Sequence, residues 1–119
     1  MKTILVVDDE YVICDLLVAV LGDEGYKVVT AGNGKEAWSR LEEFHPDLIM
    51  CDVMMPIVDG RVLCRAVRAD VRYRTLPFIL MSAVGSANLK EICDFSDFVR
   101  KPFDLDQLVE IVRAWIGKP

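Results

Sequence analysis

Residues 4–9 read Ile4-Leu5-Val6-Val7-Asp8-Asp9, four apolar residues in a row and then two carboxylates. An apolar run without alternation is the pattern of a strand covered on both faces, as parallel sheets are when helices flank them. The period then changes. From Tyr11 to Glu24, apolar residues at 13, 16, 17, 20 and 21 fall on one helical face, and Gly25 is placed to stop the helix. Lys27 to Ala31 predicts a second strand, and Asn33 with Glu36 three residues on caps a helix running to about Glu43. Asp47 to Cys51 predicts a third strand that ends at Asp52.

Met55-Pro56 and Asp59-Gly60 punctuate a loop before a helix over 60–69. Strands are expected at Phe78–Ser82 and Asp97–Arg100, with a weak helical stretch around Ser86 to Cys93 between them. Asp104 and Gln107 cap a last helix whose apolar face is Leu105, Leu108, Val112, Trp115 and Ile116. Strand followed by helix, five times, predicts an α/β fold: a parallel sheet with helices on both faces and right-handed crossovers.

Composition narrows the class. A chain of 119 residues suits one domain over 1–119 with one core, and neither a repeat nor a linker interrupts it. At 53% hydrophobic and 28% charged it is neither disordered nor low in complexity. Nineteen acids against 14 Lys and Arg give a net charge of -5, which disfavours general binding to nucleic acid or anionic membranes. No apolar run spans a bilayer, and Ile4–Val7 is too short for a signal peptide, so a cytoplasmic protein is expected. Cys14, Cys51, Cys64 and Cys93 contain no C-x-x-C pair and read as small buried hydrophobes. His45, the only histidine, reads as an exposed helix-end residue. Arg61, Arg65, Arg68 and Arg72 form a basic stripe, expected to be a solvated face opposite buried Leu63, Ala66 and Val67.

In open α/β sheets, ligands bind beyond the carboxyl ends of the strands. The residues expected there are Asp8 and Asp9 after the first strand, Asp52 after the third, Ser82 after the fourth and Lys101 after the fifth. Clustered carboxylates either take up protons or recruit a hard cation, and oxygen-only donors favour Mg²⁺ or a similar ion over zinc. Lys101 and Ser82 could hold the remaining oxygens of a phosphoryl group, and a carboxylate such as Asp52 can form an aspartyl-phosphate.

With these residues in place, the chain resembles the receiver domain of two-component response regulators. The matching elements are Asp8-Asp9 after Ile4-Leu5-Val6-Val7, Asp52 within the stretch 48–60, Ser82-Ala83, and Lys101-Pro102-Phe103. The resemblance implies a flavodoxin-like (CheY-like) three-layer fold of strand order 2-1-3-4-5. It implies that Asp52 accepts a phosphoryl group from a sensor histidine kinase or histidine phosphotransfer protein. Asp9, Asp52 and the main-chain carbonyl of Met54 would hold Mg²⁺ (or Mn²⁺) directly, with Asp8 acting mainly through bound water. Ser82 would receive a phosphoryl oxygen, Lys101 would pair with the phosphorylated site, and the Lys101–Pro102 peptide would be cis. Phe98 matches the family's switch aromatic, turning inward as Ser82 moves. Such a protein is a phosphorylatable switch that hydrolyses its own aspartyl-phosphate, and turnover of an external substrate is not implied.

Two departures stand out. The hydroxyl is Ser82, where Thr is commoner. Ser82 and Lys101 are 19 positions apart, fewer than is usual in the family, so the fourth helix is expected to be short or irregular, which bears on the family's output face. A receiver-like binding module that works without phosphorylation is the alternative. A third reading, a dinucleotide-binding fragment, comes from Gly32-Asn33-Gly34-Lys35-Glu36-Ala37, but these glycines follow the second strand rather than the first. The chain ends soon after its last helix, at Gly117-Lys118-Pro119, leaving open a stand-alone regulator and a piece of a longer protein, with the output partner unknown.

Overall fold

A computed structural model describes residues 1–55, 58–85 and 88–119. The elements are β1 (Thr3–Val7), α1 (Tyr11–Asp23), β2 (Lys27–Ala31), α2 (Gly34–Phe44) and β3 (Leu48–Asp52), then α3 (Gly60–Ala69), β4 (Phe78–Ser82), α4 (Leu89–Ile92), β5 (Asp97–Arg100) and α5 (Leu105–Ile116). The strands form one sheet of order β2-β1-β3-β4-β5, and every pairing is parallel.

The unbroken apolar strands serve two cores at once because successive side chains point to opposite faces. Leu5, Val7, Ile49, Cys51, Phe78 and Leu80 pack on one face with Ala37 and Leu41 of α2 and Leu63, Cys64 and Val67 of α3. Ile4, Val6, Leu48, Met50, Ile79 and Met81 pack on the other with Leu17 and Leu21 of α1 and Leu108, Val112 and Ile116 of α5. The N-terminal caps follow from side-chain chemistry: carboxylate or amide oxygens accept amide protons that the first helical turn cannot satisfy. Asn33 accepts from the Glu36 amide at 2.9 Å, Asp59 from Arg61 at 2.8 Å and Asp104 from Gln107 at 3.2 Å. His45 ends α2 in the left-handed conformation, exposed to solvent.

The structure corrects several sequence expectations. β3 starts and ends one residue later than expected, so Asp52 is its last residue rather than the first of the loop. The helix expected around 86–93 is a single turn at Leu89–Ile92, while Ser86 and Ala87 lie outside the described residues. Ala66 is exposed, and Cys64 takes the buried place on α3.

The arginine stripe is solvated only in part: Arg65 and Arg72 are exposed, as expected, but Arg68 is not. Arg61 pairs with Asp59, and Arg72 lies beyond the end of α3, paired with Asp70. Arg68 turns into the chain. Its guanidinium donates to the carbonyls of Asp94 at 2.7 Å and Leu76 at 2.6 Å, to those of Tyr73 and Arg74 at 3.3 Å, and to Ser96 Oγ at 3.2 Å. Ser96 Oγ in turn accepts from the Phe78 amide at 2.9 Å. Five donors in one planar fork can satisfy several carbonyls that no regular element reaches. Arg68 therefore ties the end of α3 to the entries of β4 and β5.

Candidate phosphorylation site

Strand register gathers the site. Val7 pairs with Cys51, Asp52 with Met81 and Ser82 with Arg100, so the strands end at nearly one level. The next residues continue the ladder briefly: Asp8 N donates to Ala31 O at 3.0 Å, Val53 N to Met81 O at 2.9 Å, and Lys101 N to Ser82 O at 2.9 Å. Asp8, Asp52, Ser82 and Lys101 are thereby brought to one edge from four strands. Gly60 allows α3 to begin hard against this edge: its amide bonds the Val53 carbonyl, and a Cβ there would sit 2.1 Å from the Asp52 carbonyl oxygen.

Among the described residues, the buried polar or charged ones are Asp8, Asp52 and Ser82. The Lys101 ammonium lies among carboxylates, donating to Asp8 Oδ2 at 2.7 Å, with Asp52 Oδ1 at 3.3 Å and Glu10 Oε1 at 3.4 Å. Asp8 Oδ1 also accepts from the Glu10 amide at 2.9 Å. The Ser82 hydroxyl accepts from the Val84 amide at 3.0 Å. Asp9, Glu10, Asp52, Met54, Ser82, Ala83, Val84 and Lys101 line a cavity of about 240 Å³, with Asp9 and the Met54 side chain exposed.

Charge in this cavity is held uneasily. Burial, reinforced by the neighbouring Asp8 charge, pushes the Asp52 carboxyl up to about 6, and Lys101 only partly opposes this. Burial also raises Asp8, against the pull of the Lys101 hydrogen bond. For Lys101 burial acts to lower its affinity for a proton, but its bonds to Asp8 and Asp52 outweigh burial and keep it above the usual lysine range. Two carboxylates facing one ammonium in a partly dry site favour added positive charge.

The oxygen donors suit a hard cation. One carboxylate oxygen from each of Asp8, Asp9 and Glu10 lies within 4.8 Å of the others. Burial pushes the nearby Cys14 thiol up to about 11 and raises that of Cys51 well above its ordinary value, so thiolate is disfavoured at both. Glu10 is the residue that sequence reasoning missed. Its signal was only its place, directly after the acidic pair.

Phe98 stands apart from the cavity. It is half-buried on β5, its ring tilted against Phe95 with centroids 6.4 Å apart, beside a second cleft lined by Gly85, Arg100, Lys101 and Gln107. The Lys101–Pro102 peptide is cis. The glycine-containing turn at 32–34 supplies an N-cap for α2 through Asn33.

The family model described as the response regulator receiver domain matches residues 4–113. The chain belongs to that family. Response regulator Rre1 of Synechocystis is 38% identical over 122 residues, covering 98% of this chain and 52% of its own length. Chemotaxis protein CheY4 of Vibrio cholerae superposes with a TM-score of 0.92 at 28% identity, over 98% of this chain and 99% of that one. Response regulator TrrA of Thermotoga maritima, solved in complex with Mg²⁺ and BeF, superposes at 0.85 with 34% identity, over 98% of this chain and 100% of that one. The receiver spans about half the length of the curated relatives it matches, and some of those are named DNA-binding regulators. The CheY-like fold with a short fourth helix is the architecture expected from the sequence. No helix among the described residues is long and apolar enough to cross a membrane.

Proposed function

We propose that residues 1–119 form one receiver switch in which Asp52 accepts a phosphoryl group from a phosphohistidine on a sensor kinase or phosphotransfer protein. The observation that carries this is the Lys101 ammonium held 2.7 Å from buried Asp8 and 3.3 Å from Asp52, with the Ser82 hydroxyl lining the same cavity. A carboxylate oxygen of Asp52 attacks phosphorus as the bond to the histidine nitrogen breaks, and the electron pair leaves with the imidazole. Lys101 then faces a phosphoryl oxygen, and Ser82 turns its hydroxyl from the Val84 amide to donate to another.

Asp8, Asp9, Asp52 and the Met54 carbonyl would hold Mg²⁺ or Mn²⁺, whose charge offsets that of the phosphoryl oxygens. The acidic, thiol-free donor set fits such an ion. Movement of Ser82 would free space at the strand edge for Phe98, whose half-buried place beside the Gly85–Gln107 cleft suits a ring with two positions. The output would be a change in the surface around that cleft, read by a downstream protein or by a DNA-binding partner domain like those named in longer relatives.

Intact mass after incubation with acetyl phosphate and Mg²⁺ tests the reading. One phosphoryl adduct is expected, absent without metal and absent in Asp52→Ala. An adduct that persists in Asp52→Ala would mean the acceptor lies elsewhere. No adduct from acetyl phosphate or from a phosphorylated kinase would favour a binding module that works unphosphorylated.

A further inference from the structure

Glu10 stands where α1 begins, yet its side chain makes no capping bond to the helix. It reaches instead across the strand edge to the Lys101 ammonium, 3.4 Å away, while remaining largely in solvent. Lys101 has a better partner in fully buried Asp8, at 2.7 Å. That pairing poses a problem for the proposed site. A divalent cation bound beside Asp8 and Asp9, directly or through water, would place a second positive charge next to the ammonium, and the two repel. The ammonium must give way, and its side chain is only 12% exposed, so it cannot simply turn into water.

We propose that Glu10 is a positioning residue for Lys101: an outer carboxylate that takes over the ammonium when a divalent cation occupies the Asp8–Asp9 oxygens. The inference rests on the metal-binding reading above. Glu10 is suited to the role by three observations. Its oxygen already lies within reach of Nζ in the resting state, so a small shift of the ammonium transfers it. Its main chain is fixed, because the Glu10 amide donates to Asp8 Oδ1 and its carbonyl accepts from Ile13 and Cys14. Its side chain is exposed, so holding the ammonium there avoids a second buried charge. From that berth Lys101 still lines the cavity shared with Asp52 and Ser82, ready for an incoming phosphoryl oxygen.

A double-mutant cycle read by calorimetric titration of the whole chain with MgCl₂ tests this, using the parent, Glu10→Gln, Lys101→Met and the double variant. Glu10→Gln is expected to weaken Mg²⁺ binding by about twofold to fivefold, the range of an exposed ion pair. Lys101→Met removes the competitor and is expected to tighten binding. In that background Glu10→Gln is expected to change nothing, because there is no ammonium left to receive. The same factor in both backgrounds would overturn the proposal, showing Glu10 to be an ordinary charge or a direct ligand. No effect in either background, with the parent binding normally, would overturn it too. A parent chain that takes up no Mg²⁺ would remove the metal-binding reading itself, a different failure. Circular dichroism checks each variant's fold, and Lys101→Gln replaces Lys101→Met in the cycle should the latter not fold.

Discussion

Asp52→Asn is expected to make the metal-free protein more stable near neutral pH while abolishing its proposed function. The carboxyl is buried beside Asp8 and is pushed up to about 6 from an ordinary 3.8. In the unfolded chain the ordinary value returns. A carboxyl raised on folding keeps its proton longer in the native state than in the unfolded one, so stability falls as pH rises through this window. Below about pH 4 the group costs nothing; above about pH 6 the full cost applies, about 3 kcal/mol at ~1.4 kcal/mol per pH unit. Asparagine carries no charge to desolvate, but it weakens the contact with Lys101, so a net gain of about 1–3 kcal/mol is expected. For a chain of this size that is a rise in melting temperature of roughly 4–10 °C.

Thermal unfolding followed by circular dichroism in EDTA, near neutral pH and again near pH 4, reads the effect. The gain should be present in the first condition and largely absent in the second. Excess Mg²⁺ should narrow the gap by stabilising the parent more than the variant, since a ligand stabilises the state that binds it. A variant no more stable than the parent at neutral pH would refute the reasoning. So would a gain of equal size near pH 4, because it could not then come from the charge.

Two further substitutions probe what frames the site. Gly60→Ala places a methyl where the Asp52 carbonyl stands, 2.1 Å from the new Cβ, and should lower stability by about 3 kcal/mol or more in urea unfolding, with slower phosphorylation in whatever still folds. Arg68→Ala leaves the carbonyls of Leu76 and Asp94 without their donor; a loss of about 2–4 kcal/mol in urea is expected, with faster hydrogen exchange at the Phe78 amide.

Much of the architecture was legible because the signals were local. The short strand runs, the two caps at Asn33 and Asp104 and the helical period between them are properties of neighbouring residues, and they gave the elements in their order, though β3 moved by one residue and α4 shrank to one turn. The gathering of Asp8, Asp52, Ser82 and Lys101 at one edge was legible for a different reason: in a parallel sheet every strand ends at the same side, so residues just past strand ends meet by topology. Side-chain partnerships across the fold were not legible. Arg68 has the spacing of a solvated stripe, and nothing nearby in sequence shows that its fork will meet carbonyls from Tyr73, Leu76 and Asp94. Glu10 was passed over because its partner lies 91 residues away. Periodicity reports which face a residue takes, not which distant group awaits it there.

Arg68 also explains how the site tolerates a connection of such short length between β4 and β5. Lys101 must arrive beside Asp8 and Asp52, and β5 carries it there in register with β4. Here one turn of helix contributes Leu89 to the core, and the polar fork fixes the entry at Asp94 and Ser96. Hydrogen bonds to a single guanidinium set position without covering much surface, so the edge carrying Asp52 and Lys101 is held in register while only one turn of helix is described in the connection beside it. The acid site and the surface that would report on it are therefore held by different means: the first by five-stranded register, the second by one turn of helix, the buried Cys93 and Phe95 side chains and one arginine. Should Asp52 take up the proposed phosphoryl group, the structural response is expected around Phe98 and the β4–β5 connection, where β5 is an edge strand and α4 a single turn, rather than on the α2–α3 side, where two longer helices cover the sheet.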